Sequence, residues 1–469
     1  MARVGVAAVL LALALGLVVE RHRIIDDLTT YDAAPSEPAL LPVGSGPGLP
    51  PAQRVRVVLV DGLAVDTAAS LPAWTAACAR GVQLTVDVGF PSVSLPVEVA
   101  LWTGLTQQQT GIVSNRGDRG LVPPLDTRGI PAQIAGSRAV AESHGWIARS
   151  LGFAQVDEGG DWKATARAAV ASDARLVFVH VLAVDDAGHH HGHDSPEYAA
   201  AARDADATIA ELVAAAPGAR WFLLSDHGHL AGPHGGHGGD ERAVRQVAGC
   251  IAGPGIAPPK GPRVHVVDVA RALADSLGAK LELASRGRPL SVALAAPLAP
   301  DQALPPLPLA AGAVAIVLLV IGAFAGTWPR RWWLAPWWLA IAAASLVLVR
   351  GVPTLSTPMI YAPAGRAMYL PWLPALAVCA IATWFGLRTT TLARVVVAQL
   401  ALPFAAVAAD ATACGAWPAL LGAHVAPVVP HFTAWLSPLL LVTAHGCAAV
   451  ALALVARAVA ARLRREEKN

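Results

Sequence analysis

The chain has 469 residues, of which 55% are hydrophobic and only 14% charged. With a mean hydropathy of +0.50 it is too apolar for a wholly soluble protein. A formal net charge of +2 without a basic stripe gives no case for a nucleic-acid polymer as partner, and five scattered cysteines exclude a disulfide framework or a thiolate metal site.

In chain order, Val4 to Val19 is an uninterrupted apolar run of 16 residues after Met1-Ala2-Arg3. It could be a signal peptide or a signal anchor, and the lack of a convincing small-x-small cleavage site after it favours the uncleaved anchor. The expected organisation is an anchor at 1–21, a Pro/Gly-rich tether at 22–52, a globular domain at 53–296 and a linker at 297–308. A membrane domain of about five helices follows at 309–458, with a basic tail at 459–469.

Within 53–296, strands are expected at 54–60, 82–88, 175–184 and 220–225, and helices at about 64–80 and 196–215. That alternation predicts an α/β fold with a mainly parallel sheet sandwiched by helices. A further amphipathic helix around Val267 to Ala274 closes at Gly278. Cys78 and Cys250 both fall in this part and could pair in an oxidising compartment.

Three aspartates follow apolar runs that read as buried strands: Asp61, Asp185 and Asp226. Carboxyl ends of parallel strands share one edge, where ligands bind. Carboxylates gathered there would repel unless cations sat between them. Asp185 and His189, four apart with Gly188 permitting a curl, can grip one ion, and Asp226-His227 offers two adjacent ligands suited to zinc. His234 and His237 lie in the Gly-rich run that follows. Ser94, before a helix-like stretch ending at Gly104, could attack phosphorus or simply cap that helix. Ser92 competes for the capping role, and spacing alone does not choose between them.

Apolar segments at roughly 309–328, 332–349, 367–386, 395–414 and 434–457 are each close to span length. Arg330-Arg331, Arg388 with Arg394, and the tail Arg462 to Arg465 fall in alternate connections. The positive-inside rule then places residues 22–308 outside the cytoplasm, in a multi-pass cell-membrane protein.

The motifs resemble the alkaline phosphatase superfamily, in its branch of type I phosphodiesterases and nucleotide pyrophosphatases. That branch carries Pro-Thr-x-Thr-x-Pro, then Thr-Gly-Leu, then His-Gly-Ile-Val-x-Asn. This chain has Pro91-Ser92-Val93-Ser94-Leu95-Pro96, Thr103-Gly104-Leu105 and Thr110-Gly111-Ile112-Val113-Ser114-Asn115. The resemblance implies that Ser94 is the nucleophile. It also implies two divalent ions, most simply Zn2+: one held by Asp185, His189 and a later histidine, the other by Asp61, Asp226 and His227. Gly236-His237-Gly238-Gly239 favours His237 over His234 as that later ligand. Val97 stands where nucleotide pyrophosphatases have a phosphate-holding Asn. A sulfatase is excluded because Val97-Glu98 replaces the Ser-Arg of the sulfatase pattern.

Anchor, outer domain and C-terminal spans together are similar to the ethanolamine-phosphate transferases of glycolipid-anchor synthesis, with a shorter membrane part. The implied function is a membrane-bound phosphodiesterase or phosphotransferase working through a phospho-serine. The implied substrates are phosphoethanolamine-type or lipid-linked phosphodiesters. The rival reading puts the function, transport or scaffolding, in the spans, with Asp410, His424 and His445 as intramembrane candidates.

Overall fold

The computed structural model describes residues 2–30, 44–112, 115, 129–231, 236–239, 242–256, 262–298, 372–387, 391–392 and 428–467. Among these residues an eight-stranded sheet forms the centre, in the order β4-β3-β5-β1-β6-β7-β2-β8. Its strands are β1 (Val55–Val60), β2 (Gly81–Asp87), β3 (Arg138–Ala141), β4 (Gln155–Glu158), β5 (Leu176–Val181), β6 (Arg220–Leu224), β7 (Gln246–Ala252) and β8 (Arg263–His265). All neighbours pair parallel except β7, which runs antiparallel to both β6 and β2.

β1, β5 and β6 lie side by side at the middle and are buried along their whole length. Near-continuous Val, Leu and Phe in these strands is what burial on both faces demands. One core cluster packs Val57, Leu59, Phe178 and Phe222 against the helices Ser94–Thr103 and Val266–Leu277. The other packs Val58, Val60, Val179 and Leu223 under Pro72–Cys78, Trp162–Ala171 and Pro196–Ala215. Arg56 is the exception in β1: its guanidinium donates to the carbonyls of Val55, Val170, Ser172 and Ala174, tying off the end of helix Trp162–Ala171.

Cys78 and Cys250 form a disulfide, with Cα atoms 5.5 Å apart, joining the end of helix Pro72–Cys78 to β7. Residues 47–52 lie strapped onto the domain: Leu49 N–H donates to Asp275, Ala52 N–H to the Ser276 carbonyl, and the Pro50 carbonyl accepts from Arg220. Helix Val266–Leu277 ends at Gly278, whose left-handed φ of 61° closes it.

Outside the sheet domain, helix Ala2–Thr30 packs on the long helix Val428–Glu466 through Ala14, Ala444 and Cys447, with Leu10, Leu17, Val18 and Ala448 around them. Among the described residues one stretch, Thr443–Glu466, is long and apolar enough to cross a membrane. It reaches further toward the C-terminus than the expected 434–457, because the basic tail at Arg462 to Arg465 continues the helix instead of leaving it. Helix Trp372–Gly386 falls in the expected segment 367–386. The expected spans at 309–328, 332–349 and 395–414, with Asp410 and His424, lie outside the described residues.

Candidate metal centre

Asp61 follows β1 directly, and its backbone N–H is held by the Val181 carbonyl of β5 at 2.9 Å. The turn after it is fixed by Tyr198, whose hydroxyl donates to the Gly62 carbonyl and accepts from Ala64 N–H. Gly62 has φ +73°, and a Cβ on it would meet the Asp185 backbone at 2.8 Å. Only glycine lets these two chain segments approach so closely.

Asp185 is not at a strand end, as the apolar run to Val184 suggested. β5 stops at Val181, and Asp185 stands in the first turn of helix Ala183–His191. The Glu142 carboxylate accepts the N–H groups of Leu182 and Ala183 there, so the chain enters a helix where a longer strand was expected. The pairing of Asp185 with His189 therefore comes from helical i,i+4 spacing, which brings His189 Nε2 to 3.3 Å from Asp185 Oδ1. Gly188 is not needed for a curl. A side chain there would collide with the ring of His229.

His229 is the ligand candidate that sequence reasoning missed. Its Nε2 lies 2.8 Å from Asp185 Oδ1, and the residue is buried. The signal was its position two residues beyond His227 in Asp226-His227-Gly228-His229. His237 joins the same group, and its Nδ1 donates to the Ser92 carbonyl at 3.0 Å. That bond fixes the tautomer and leaves Nε2 as a bare donor atom facing His189 Nε2 at 3.2 Å. His234 lies outside the described residues.

The side chains form two groups whose donor atoms converge: Asp185, His189, His229 and His237 in one, and Asp61, Asp185 and His227 in the other. Asp226 adjoins the second, with Oδ2 3.4 Å from His227 Nε2, while its Oδ1 accepts the N–H groups of Gly62 and His227. His227 and His237 stack with ring centroids 3.5 Å apart. Asp61 Oδ1 and Asp226 Oδ2 are buried without a hydrogen-bond partner. Unpartnered carboxylate oxygens and a bare imidazole nitrogen aimed inward are the chemistry a divalent cation satisfies. The residues fit such ions.

The electrostatics differ across the site. Burial and the charge of Asp61 push Asp226 well above the ordinary carboxylate range. Burial opposes charge on His227, but Asp226 and Asp61 outweigh it and raise the imidazole to about 10. His237 and His229 go the other way: burial depresses both, and the charge on His227 adds to the effect. Neutral imidazoles are the form that binds metal.

Ser94 opens the buried ten-residue helix Ser94–Thr103, and its Oγ lies 3.3 Å from His227 Nε2. Ser92 faces elsewhere: its hydroxyl donates to the Gly239 carbonyl and accepts Gly238 N–H. Geometry thus separates two serines that spacing could not. Asn115 accepts the Leu95 N–H beside Ser94 at 2.8 Å, and Val97 turns into the core.

A family model described as type I phosphodiesterase / nucleotide pyrophosphatase matches residues 144–245. That stretch carries Asp185, His189, Asp226, His227, His229 and His237, which supply most of the donors above. Over that stretch the chain is similar to the type I phosphodiesterase / nucleotide pyrophosphatase family. The nucleophile segment and Asp61 lie N-terminal to the match.

Solved structures similar to this chain include murine ectonucleotide pyrophosphatase/phosphodiesterase 5, an inactive variant in complex with AMP, at 15% identity and TM-score 0.42 over 49% of this chain and 96% of that one. The human form is 16% identical, with TM-score 0.41 and coverage of 49% and 96%. A phosphonate monoester hydrolase from Silicibacter pomeroyi is 14% identical, with TM-score 0.38 and coverage of 54% and 78%. No curated protein matches the chain.

Proposed function

We propose that this protein is a membrane-bound, divalent-metal-dependent phosphodiesterase or phosphotransferase with Ser94 as its nucleophile. It acts outside the cytoplasm on phosphoethanolamine-type or other lipid-linked phosphodiesters. The observation that carries this reading is the Ser94 hydroxyl, 3.3 Å from His227, at the head of a buried helix beside two converging donor groups.

Asp185, His189, His229 and His237 would hold one ion, and Asp61, Asp226 and His227 the other, with Asp185 between them. Bound zinc would lower the pKa of the serine hydroxyl and neutralise charge on the phosphoryl oxygens. The chain's own part is to place Ser94. The helix N-terminus favours negative charge on its oxygen. As the Oγ–P bond forms, the bond to the leaving oxygen breaks, and the proton given up by Ser94 ends on that oxygen, which departs as an alcohol. Water or an acceptor hydroxyl then attacks phosphorus, gives up its proton and returns Ser94. The candidate span Thr443–Glu466 supports a lipid-linked substrate, because a catalytic domain beside a bilayer meets such substrates directly.

Ser94→Ala, with its metal retained, is expected to abolish release of p-nitrophenol from bis-p-nitrophenyl phosphate. Turnover equal to wild type in that variant removes Ser94 from the mechanism. Comparing phosphoethanolamine lipids with nucleotide diesters then fixes the substrate class.

A further inference from the structure

Helix Ser94–Thr103 is apolar apart from its serine, its threonine and one carboxylate, Glu98. Glu98 is 1% exposed, and neither of its oxygens has a hydrogen-bond partner. Burying a carboxylate this way is costly unless an opposite charge faces it. The group facing it is His180, the only polar side chain of β5 and 3% exposed. Its Nε2 lies 3.6 Å from Glu98 Oε1 and 3.1 Å from Asp61 Oδ2. The first distance is too long for a hydrogen bond and the second is not. Nε2–H therefore donates to Asp61, while Glu98 stands behind as a counter-charge.

The register explains the placement. His180 pairs with Leu59 in β1, two residues before Asp61, so its ring reaches the strand end where the Asp61 carboxylate emerges. With Oδ2 engaged by His180, Asp61 keeps Oδ1 turned to the donor group, 3.1 Å from His227 Nε2. A carboxylate free to rotate would lose that aim, and outer-shell bonds of this kind fix first-shell ligands.

We propose that His180 and Glu98 are positioning residues that orient Asp61 toward its cation, an inference that rests on the metal reading above. His180 bonds Asp61 and faces Glu98, so the pair acts through Asp61.

The test uses the full chain in detergent, with zinc stoichiometry and affinity read by competition against a chromophoric chelator. Wild type is expected to bind two zinc ions; if it binds none, the metal reading itself fails and the positioning idea is not what was refuted. His180→Ala is expected to weaken one ion by roughly tenfold to a hundredfold and to leave the other unchanged. His180→Gln, which can present an N–H near the same place, should recover most of that affinity. Glu98→Gln should cost several-fold. Unchanged affinity for both ions in a folded His180→Ala protein overturns the proposal. So does equal weakening of both ions, or a His180→Gln variant no better than alanine. Where His180→Ala does not fold, Glu98→Gln decides: wild-type zinc affinity at an unchanged melting temperature overturns it.

Discussion

Two buried charge clusters in the same domain are built on opposite plans. Around Asp87, at the end of β2, the chain supplies its own cations: Arg245 and Arg263 both bond Oδ2 of that carboxylate. Around Asp61, Asp185 and Asp226 the partners among the described residues are histidines and backbone N–H groups. The consequence shows in the acidities. Burial works against the charge on Asp87, yet Arg245, His265 and Arg263 overcome it and hold the carboxyl below its ordinary value. In the other cluster Asp226, equally buried, is driven well above its ordinary value, while against the same burial Asp61 and Asp185 are held low by histidines instead of arginines. A cluster that closes its own charge balance is structural, whereas one that leaves carboxylates unbalanced is built to receive cations.

The sharpest way to break this contrast is Asp185→Ala. Asp185 is the one side chain common to both donor groups. Its loss is expected to lower kcat/KM for a diester by on the order of a thousandfold or more, since both ions are affected. Retained zinc and retained turnover together would show that the groups do not function as one site.

Asp87→Asn tests the opposite side. Removing one partner of a buried ion cluster is expected to cost about 3 kcal/mol near neutral pH, because two arginines are left facing a neutral amide. The sign with pH follows from the depressed acidity. Asp87 is stabilising above its ordinary value of 3.8, and that contribution is lost as pH falls through its lower folded value. Denaturation curves should therefore show the wild-type advantage at about pH 7 shrinking by about pH 3. An advantage that grows in acid would mean Asp87 is not the charged member of its cluster.

Chelation should separate the two clusters by stability alone. Zinc at a hundredfold excess over Kd is expected to stabilise the folded domain by about 2.7 kcal/mol. EDTA should remove that increment from wild type and from Asp87→Asn equally. In Asp185→Ala it should change the melting temperature little. An EDTA effect confined to Asp87→Asn would reverse the assignment of which cluster is open.

How much of this was legible in the sequence differs along the chain. The central strands declared themselves by unbroken Val and Leu runs, and helix Pro196–Ala215 by its length and its Ser195-Pro196 start. Asp61, Asp226 and His227 followed from those strands. Asp185 was misplaced because an apolar run does not say where a strand gives way to a helix. His229, His180 and Glu98 escaped for a different reason. For His180 and Glu98, a lone polar residue in an apolar segment reports burial but not its partner, while His229, though beside Asp226-His227, meets Asp185 from 44 residues away. The antiparallel β7 was equally hidden, since direction is set by connections and not by composition.

The smallest expected effect concerns the two serines of the nucleophile segment. Ser92 bonds Gly239 and Gly238, and its carbonyl accepts from His237 Nδ1. Ser92→Ala keeps that carbonyl and removes only the hydroxyl, leaving one carbonyl and one N–H without it. The expected cost is about 1–2 kcal/mol of stability, with diester turnover reduced only modestly. The loop that carries His237 would loosen, so any loss should appear as weaker zinc binding that added zinc corrects. Ser94→Ala, by contrast, should not be rescued by zinc at any concentration. If Ser92→Ala abolishes turnover while zinc stays bound, the hydroxyl that reacts is not the one beside His227, and the geometry has been assigned to the wrong serine.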